Sequence, residues 1–276
     1  MITVKHGVFH LQNEKNSYLF RVRDGFLEHL HFGARVSASD ADALAVRPGC
    51  GWGDSTLYRE DSNANCMDIF PLEWSGCGRG DYRESPLELL QNGTPISTDF
   101  RYTGCEALKT PLPSVLPASR GQTVLAVYLE DKAAKLRLTL LYGVLPTVFT
   151  RRAILENFSD TPVSIQKFMS TCTDIPGDWT MHTFSDCRDA AHKNTCHHGA
   201  LLLGEHDRRV IQPRKSRLPA CRTGRNRDKR HGLRIQSALF RQSLSKCAEK
   251  PAGPHAHNAG YLSLEFQLAA CPRWPL

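Results

Sequence analysis

Short apolar runs separated by turn residues recur through most of the chain before residue 172. Several show partial period-two alternation: Leu136, Leu138 and Leu140 alternate with Arg137 and Thr139. Such alternation places successive side chains on opposite faces of a β-strand. We therefore predict strands over residues 8–11, 17–22, 26–32, 96–102, 123–130, 136–144, 148–156 and 163–171.

Turn signals fall between these runs. Asp24-Gly25 separates two of them and Asn92-Gly93 closes another, and both dipeptides favour tight hairpins. Strands at such short intervals, without intervening amphipathic helices, are typical of an all-β sandwich or barrel. For a chain of 276 residues, we predict an all-β fold, a large antiparallel β-sandwich (a supersandwich).

The stretch over residues 66–93, CMDIFPLEWSGCGRGDYRESPLELLQNG, organises the rest. A mostly apolar run carrying Asp68 and Glu73 leads into a glycine-rich turn at 76–80, where a positive φ costs little. Asp81 and a second apolar run follow. Asp68, Glu73 and Asp81 thus place carboxylates beside these apolar runs and the turn.

Several segments resemble the N-terminal domain of glycoside hydrolase family 36, the bacterial α-galactosidases. The residues DYRESP are similar to that family's GD(F/Y)R-x-P segment, with one extra residue before the proline. The hairpin SYLFRVRDGFLEHLHFG and the runs VFTRRAILENFSDTPVSIQKFMSTCTDIP and GDWTMHTFS also resemble the family. The resemblance is nearly continuous over residues 5–185.

The resemblance implies that both catalytic aspartates lie in a (β/α)₈ barrel that follows the β-domain. Such a barrel needs about 250 residues, and this chain shows no βαβ alternation, so we predict that the barrel is absent and that the chain holds no catalytic residue. The family uses a loop before the glycine-rich turn near its galactose pocket, partly across the subunits of a homo-oligomer. The corresponding loop is 49–61, which makes Trp52, Asp54 and Arg59 the candidate substrate-binding residues.

The segment 204–276 differs from the rest in composition. It holds 15 of the 35 Lys and Arg but 5 of the 28 Asp and Glu, a balance of about +10. Its apolar residues are scattered without a period. Two explanations compete: a basic disordered arm that binds a polyanion, or a change of reading frame. We therefore divide the chain into an incomplete sandwich domain, 1–203, and a basic, non-native or disordered tail, 204–276.

The genetic code is compatible with a frame change after about Leu203. If the last two bases of each codon are read with the first base of the next, Glu205 to Arg209 can encode Ser-Thr-Thr-Gly. In the same offset frame, residues 210–217, 232–242 and 263–274 can encode strings that resemble family segments such as VYGFNL-x-YSGN and P-W-N-F-x-W. The order and spacing of these strings are those of the family, which favours a frameshifted fragment.

Composition argues against a membrane protein, a secreted disulfide-rich protein and a metal-binding protein. No run approaches the roughly 18 apolar residues of a membrane helix, and the N-terminus lacks an apolar signal core, so we expect a cytoplasmic protein without a membrane partner. The 10 cysteines are irregularly spaced, which favours reduced thiols. Cys187, His192, Cys196, His197 and His198 match no zinc spacing that we recognise, so we expect no metal and no cofactor.

Two readings of function remain. The first is an N-terminal fragment of an α-galactosidase, whose intact relatives bind and hydrolyse terminal α-D-galactosides such as melibiose and raffinose with retention. The alternative is a non-catalytic carbohydrate-binding or basic polyanion-binding protein. The basic run at 222–231 has no interleaved aromatic residues for base stacking, so we expect no specific nucleic-acid partner.

Overall fold

A computed structural model describes residues 1–45, 67, 71–76, 78, 81, 85–109 and 124–169, together with the backbone of five strands between residues 179 and 271. Within this part, one 3-10 turn, Ala38–Asp40, and one short helix, α1 (Ala41–Leu44), are the helical elements. None of the helices described there is long or apolar enough to cross a bilayer.

The strands are numbered in chain order. They are β1 (Ile2–Lys5), β2 (Val8–Gln12), β3 (Asn16–Arg23), β4 (Phe26–Ala34), β5 (Leu87–Gln91), β6 (Thr94–Ile96), β7 (Arg101–Leu108), β8 (Val124–Asp131), β9 (Leu136–Val144), β10 (Phe149–Asn157), β11 (Val163–Phe168), β12 (Trp179–Phe184), β13 (Ala191–Cys196), β14 (Ala220–Thr223), β15 (Gly232–Ser237) and β16 (Tyr261–Cys271).

These strands form three sheets among the described residues. A four-stranded sheet has the order β1-β2-β3-β4, a nine-stranded sheet has the order β13-β12-β14-β15-β16-β10-β9-β8-β7, and a three-stranded sheet has the order β11-β5-β6. Every described strand pair is antiparallel. The all-β prediction is confirmed, and no parallel strand pair of a (β/α)₈ barrel occurs in the described residues.

The predicted hairpins form at the predicted dipeptides. Asp24 and Gly25 have φ values of 49° and 81°, and Asn92 and Gly93 have values of 52° and 78°. Two consecutive positive φ values are the signature of a type I′ turn, whose twist suits the flanking strands. β3 therefore pairs with β4, and β5 with β6.

The main core lies between the nine-stranded sheet and the other two sheets. Alternate residues of β8, Leu125, Val127 and Leu129, belong to it, whereas Val124 and Ala126 join a second apolar cluster on the opposite face. Since both faces of β8 are buried, its sequence is apolar without a break from Val124 to Leu129 rather than cleanly alternating.

Aromatic rings connect the two large sheets across this core. Phe20 of β3 stacks on Phe9 of β2, with ring centroids 4.5 Å apart, and on Tyr142 of β9, at 4.8 Å. Offset stacking at such distances adds about 0.5–1.5 kcal/mol to the burial of the rings.

One local prediction was wrong. Residues 96–102 do not form one strand, because β6 ends at Ile96 and β7 begins at Arg101. Between them, the Asp99 amide donates to the Asp131 carboxylate at 2.7 Å, so this backbone bonds to a side chain rather than to a strand. In addition, β1, which pairs with β2, was not among the predicted strands.

Three strands of the nine-stranded sheet come from the segment 204–276. β14 pairs with β12, β15 with β14, and β16 pairs with both β15 and β10. What the structure describes of these strands is their backbone. The division of the chain into a sandwich ending at residue 203 and a non-native or disordered tail stays a prediction.

Candidate functional site

Segment 71–76 runs alongside β4 and enters the sandwich. Leu72 forms a bridge with Glu28, and the Glu73 amide donates to the Leu27 carbonyl at 2.9 Å. These backbone bonds fix the segment as a short addition to the edge of the four-stranded sheet. The side chain of Glu73 then points into the core, where it is fully buried.

The Glu73 carboxylate accepts hydrogen bonds from side chains of both large sheets. The donors are Tyr18 Oη of β3, at 2.8 and 2.9 Å from the two carboxylate oxygens, His29 Nδ1 of β4 at 2.6 Å, Tyr142 Oη of β9 at 2.8 Å and Arg151 Nη1 of β10 at 2.8 Å. Arg151 also donates through Nη2 to the main-chain carbonyl of Glu73. We call Glu73 and these four partners the Glu73 cluster.

The electrostatics of the cluster favour an ionised carboxylate. Burial alone would raise the pKa of Glu73, but the charge of Arg151 and the hydrogen bonds from His29 and Tyr142 outweigh burial and lower this pKa to about 2. An ionised carboxylate only accepts hydrogen bonds, so His29 carries its proton on Nδ1.

Tyr142 responds in the opposite direction. Burial raises the pKa of its phenol well above the ordinary value, and the neighbouring Glu73 carboxylate adds to the rise although Arg151 opposes it. The phenol therefore stays protonated and serves as a donor to Glu73 at neutral pH.

This arrangement excludes Glu73 as a catalytic acid. A general acid needs a pKa near the working pH and contact with substrate, whereas Glu73 has a pKa of about 2 and no solvent-exposed surface. The cluster instead connects three parts of the fold: segment 71–76, the four-stranded sheet and the nine-stranded sheet.

The described part of the glycine-rich turn lies next to the cluster. Gly78 has a φ of 90°, and a Cβ there would lie 2.7 Å from Ser97 Oγ, so the position requires glycine. The Asp81 amide donates back to the Gly78 carbonyl at 3.2 Å. A small pocket opens here, lined by Phe26, Met67, Trp74, Gly76, Gly78, Asp81, Thr98, Asp99 and Phe100.

The pocket combines acidic and aromatic side chains. Asp81 is buried, and Asp99 forms an ion pair with Arg101 at 2.8 Å. The guanidinium of Arg101 lies 3.8 Å from the centroid of the Phe26 ring. Of the acidic residues in the 66–93 stretch, Asp81 lines this pocket. Asp68 lies outside the described residues.

The predicted substrate-binding residues lie elsewhere in the chain. Trp52, Asp54 and Arg59 fall within 46–66, outside the described residues. The side chains of the Cys/His cluster at 187–198 also lie outside them. Within the part of the chain that is described, no group of three or more His, Cys, Asp and Glu side chains is arranged to hold a metal ion.

Sequence reasoning did not find the Glu73 cluster. Its partners come from four strands and are separated from Glu73 by 44 to 78 positions in sequence. Two signals were present: a glutamate inside an apolar run and the adjacent pair Arg151-Arg152 inside an apolar strand. The two side chains of adjacent strand residues point to opposite faces of the sheet, and here both arginines are buried.

Residues 25–185, more than half of the chain, match the family model "Glycosyl hydrolase family 36 N-terminal domain". The chain belongs to glycosyl hydrolase family 36. The match covers β4 to β12, and therefore includes the glycine-rich turn and four of the five residues of the Glu73 cluster.

Two α-galactosidases are similar to this chain over 60–64% of its length. The bifunctional alpha-galactosidase/sucrose kinase AgaSK of Mediterraneibacter gnavus is 25% identical over 186 residues, which cover 64% of this chain and 20% of that protein. The alpha-galactosidase Mel36A of Lactobacillus acidophilus is 29% identical over 177 residues, which cover 60% of this chain and 24% of that protein. The match thus spans about a fifth to a quarter of the length of these relatives.

Solved structures share the fold over a longer range. The galactosidase domain of AgaSK superposes with a TM-score of 0.74 at 20% identity, covering 99% of this chain and 42% of that one. The family 36 alpha-galactosidase AgaB of Geobacillus stearothermophilus gives a TM-score of 0.72 at 18% identity, with 99% and 41% covered. At these identities the similarity establishes the fold.

Proposed function

We propose that this chain is the N-terminal β-domain of an α-galactosidase whose intact form hydrolyses terminal α-D-galactosides, such as melibiose and raffinose, with retention. The match of residues 25–185 to the family's N-terminal domain carries the proposal. The names of the two curated relatives described above, both α-galactosidases, support the same lineage.

The domain by itself does not hydrolyse galactosides. Retaining hydrolysis needs a carboxylate nucleophile and a carboxylic acid that both reach the sugar. Glu73 is buried and fully engaged, and the described strand pairs are antiparallel rather than those of a barrel. The catalytic pair of the intact enzyme belongs to the (β/α)₈ barrel that follows this domain in the family.

The contribution of this domain to the intact enzyme is substrate binding. The acidic and basic side chains of Asp54 and Arg59 suit sugar hydroxyls, because charged groups make strong hydrogen bonds to them. Trp52 supplies a flat apolar surface for a sugar ring. In a cytoplasmic homo-oligomer, this loop would approach the galactose pocket of a neighbouring subunit.

The segment after Leu203 arises from a change of reading frame. Sequence similarity supports this, because the family match ends at residue 185 and the family-like strings that the basic segment can encode all lie in one offset frame. The DNA decides the matter: beyond the end of this chain, the offset frame should encode a (β/α)₈ barrel. A different downstream product would refute the frame change.

An activity assay tests the proposed function. Residues 1–276 should show no hydrolysis of an aryl α-galactoside above a vector control, and a chain with the frame restored after Leu203 and continued into the downstream DNA should hydrolyse it. Turnover by the homogeneous 276-residue protein would contradict the proposal. An inactive repaired chain, combined with tight galactoside binding by residues 1–276, would favour a carbohydrate-binding protein instead.

A further inference from the structure

Segment 71–76 is held in two different ways. Its backbone hydrogen bonds lie along one edge of the four-stranded sheet. The backbone amide of His29 donates to the Pro71 carbonyl at 2.6 Å, and the backbone amide of Glu73 donates to the Leu27 carbonyl at 2.9 Å. Its single acidic side chain instead reaches across the core to both large sheets through the Glu73 cluster.

The two kinds of attachment differ in strength. A backbone hydrogen bond at a sheet edge is readily exchanged for a hydrogen bond to water, so its net contribution to stability is small. The bonds to Glu73 are charge-assisted and buried, so a donor that loses the carboxylate is also shielded from bulk water. The side chain of Arg151 is only 1% exposed, so loss of the Glu73 carboxylate would take from this buried guanidinium an anion that lies 2.8 Å away.

The sheets themselves do not depend on this segment. β9 pairs with β10 over nine consecutive residues and with β8 over eight, and the aromatic stack of Phe9, Phe20 and Tyr142 joins the sheets without it. Loss of the Glu73 attachment should therefore loosen the segment more than the sheets.

We propose that Glu73 is a positioning residue that latches segment 71–76 between the two large sheets and so fixes one wall of the pocket at the glycine-rich turn. Trp74 and Gly76 of this segment line that pocket, and Trp74 packs against Phe168 with ring centroids 6.1 Å apart. Release of the latch moves this wall while the sandwich stays folded. The inference concerns the geometry of the domain and is independent of the proposed catalytic lineage.

Hydrogen exchange of individual amides in the 276-residue protein tests the latch. Glu73→Gln keeps the size of the side chain but removes its charge. We expect the amides of residues 29 and 73, which join the segment to β4, to exchange roughly tenfold faster or more. Amides of the β9–β10 pairing, such as those of Leu140 and Ala153, should accelerate by a smaller factor, because the sheets keep their own pairing.

Two further variants and one control complete the experiment. Tyr18→Phe and Tyr142→Phe each remove one donor from a different sheet while keeping the ring, so they should accelerate the same amides by a smaller factor even if Glu73→Gln does not fold. Glu130→Gln, at a partly exposed ion pair with Arg137, should leave these amides unchanged. Equal acceleration at segment and sheet amides in the tyrosine variants, or no acceleration at all, would overturn the proposal.

Discussion

Replacing Arg151 with methionine tests how much the Glu73 cluster stabilises the fold. Methionine fills much of the same volume but leaves the Glu73 carboxylate without its cation. The side chains of both residues are at most 1% exposed, and breaking such a buried pair by removing one partner costs about 3–5 kcal/mol. The lowering of the Glu73 pKa from 4.5 to about 2 corresponds to roughly 3 kcal/mol, in the same range.

The pH dependence gives this prediction a second readout. A carboxylate whose pKa is lowered in the folded state stabilises the fold fully above its unfolded pKa, and this contribution is lost as pH falls towards the folded pKa. For Glu73 the window runs from pH 4.5 down to about 2. Because Arg151→Met removes the main favourable charge, the stability difference between wild type and variant should shrink as pH falls through this window.

Urea unfolding followed by tryptophan fluorescence, at neutral pH and at several acidic values, measures both effects. Arg137→Met is the matched control, since Arg137 and Glu130 are also an arginine–glutamate pair at 2.7 Å, but their side chains are 40% and 31% exposed. Exposed pairs contribute about 0–1 kcal/mol. If Arg151→Met costs no more than Arg137→Met, or if its cost does not depend on pH, the assignment of Glu73 as a buried anion is refuted.

Three further predictions concern single positions. Gly93→Ala should destabilise by about 1 kcal/mol in urea unfolding, because φ is +78° there although nothing lies within 4 Å of a new Cβ, whereas Gly104→Ala, with equally open space and no positive φ, should cost less; equal costs would contradict the role of φ. Gly143→Ala would bring a Cβ into collision with Thr150 Oγ1 and should cost about 1–3 kcal/mol in urea unfolding. This cost should fall in a Thr150→Ala background, and an unchanged cost there would disprove the collision as its cause. Because the pKa of Tyr142 is raised from 10.0, the contribution of its neutral phenol to stability is present below pH 10 and declines as pH rises further. The Tyr142→Phe protein should therefore lose less unfolding free energy than wild type between neutral and alkaline pH. An equal loss in both proteins would argue against a buried neutral phenol.

Much of the fold could be predicted because its signals are local. The run at 136–144 coincides with β9, and Asp24-Gly25 and Asn92-Gly93 form the expected hairpin turns. The strand predicted over 96–102 was wrong for a non-local reason: the amide of Asp99 has its partner 32 residues away in Asp131. No period within a short window carries that information.

The candidate site was less accessible to sequence reasoning. A glutamate in an apolar run is equally consistent with a solvated edge residue and with a buried anion. The choice depends on whether donors converge on it, and here they come from four strands of two sheets. The family resemblance instead indicated Trp52, Asp54 and Arg59 as substrate-binding residues, and their roles remain predictions.

The amino-acid sequence by itself determined the secondary structure class, most strand positions and the family, because alternation, turn dipeptides and motif residues are all encoded within short windows. Only the tertiary structure decided what Glu73 does. Its charge state follows from the low-dielectric core and from Arg151, 78 residues later, and a buried charge is stable only where its partners meet in space.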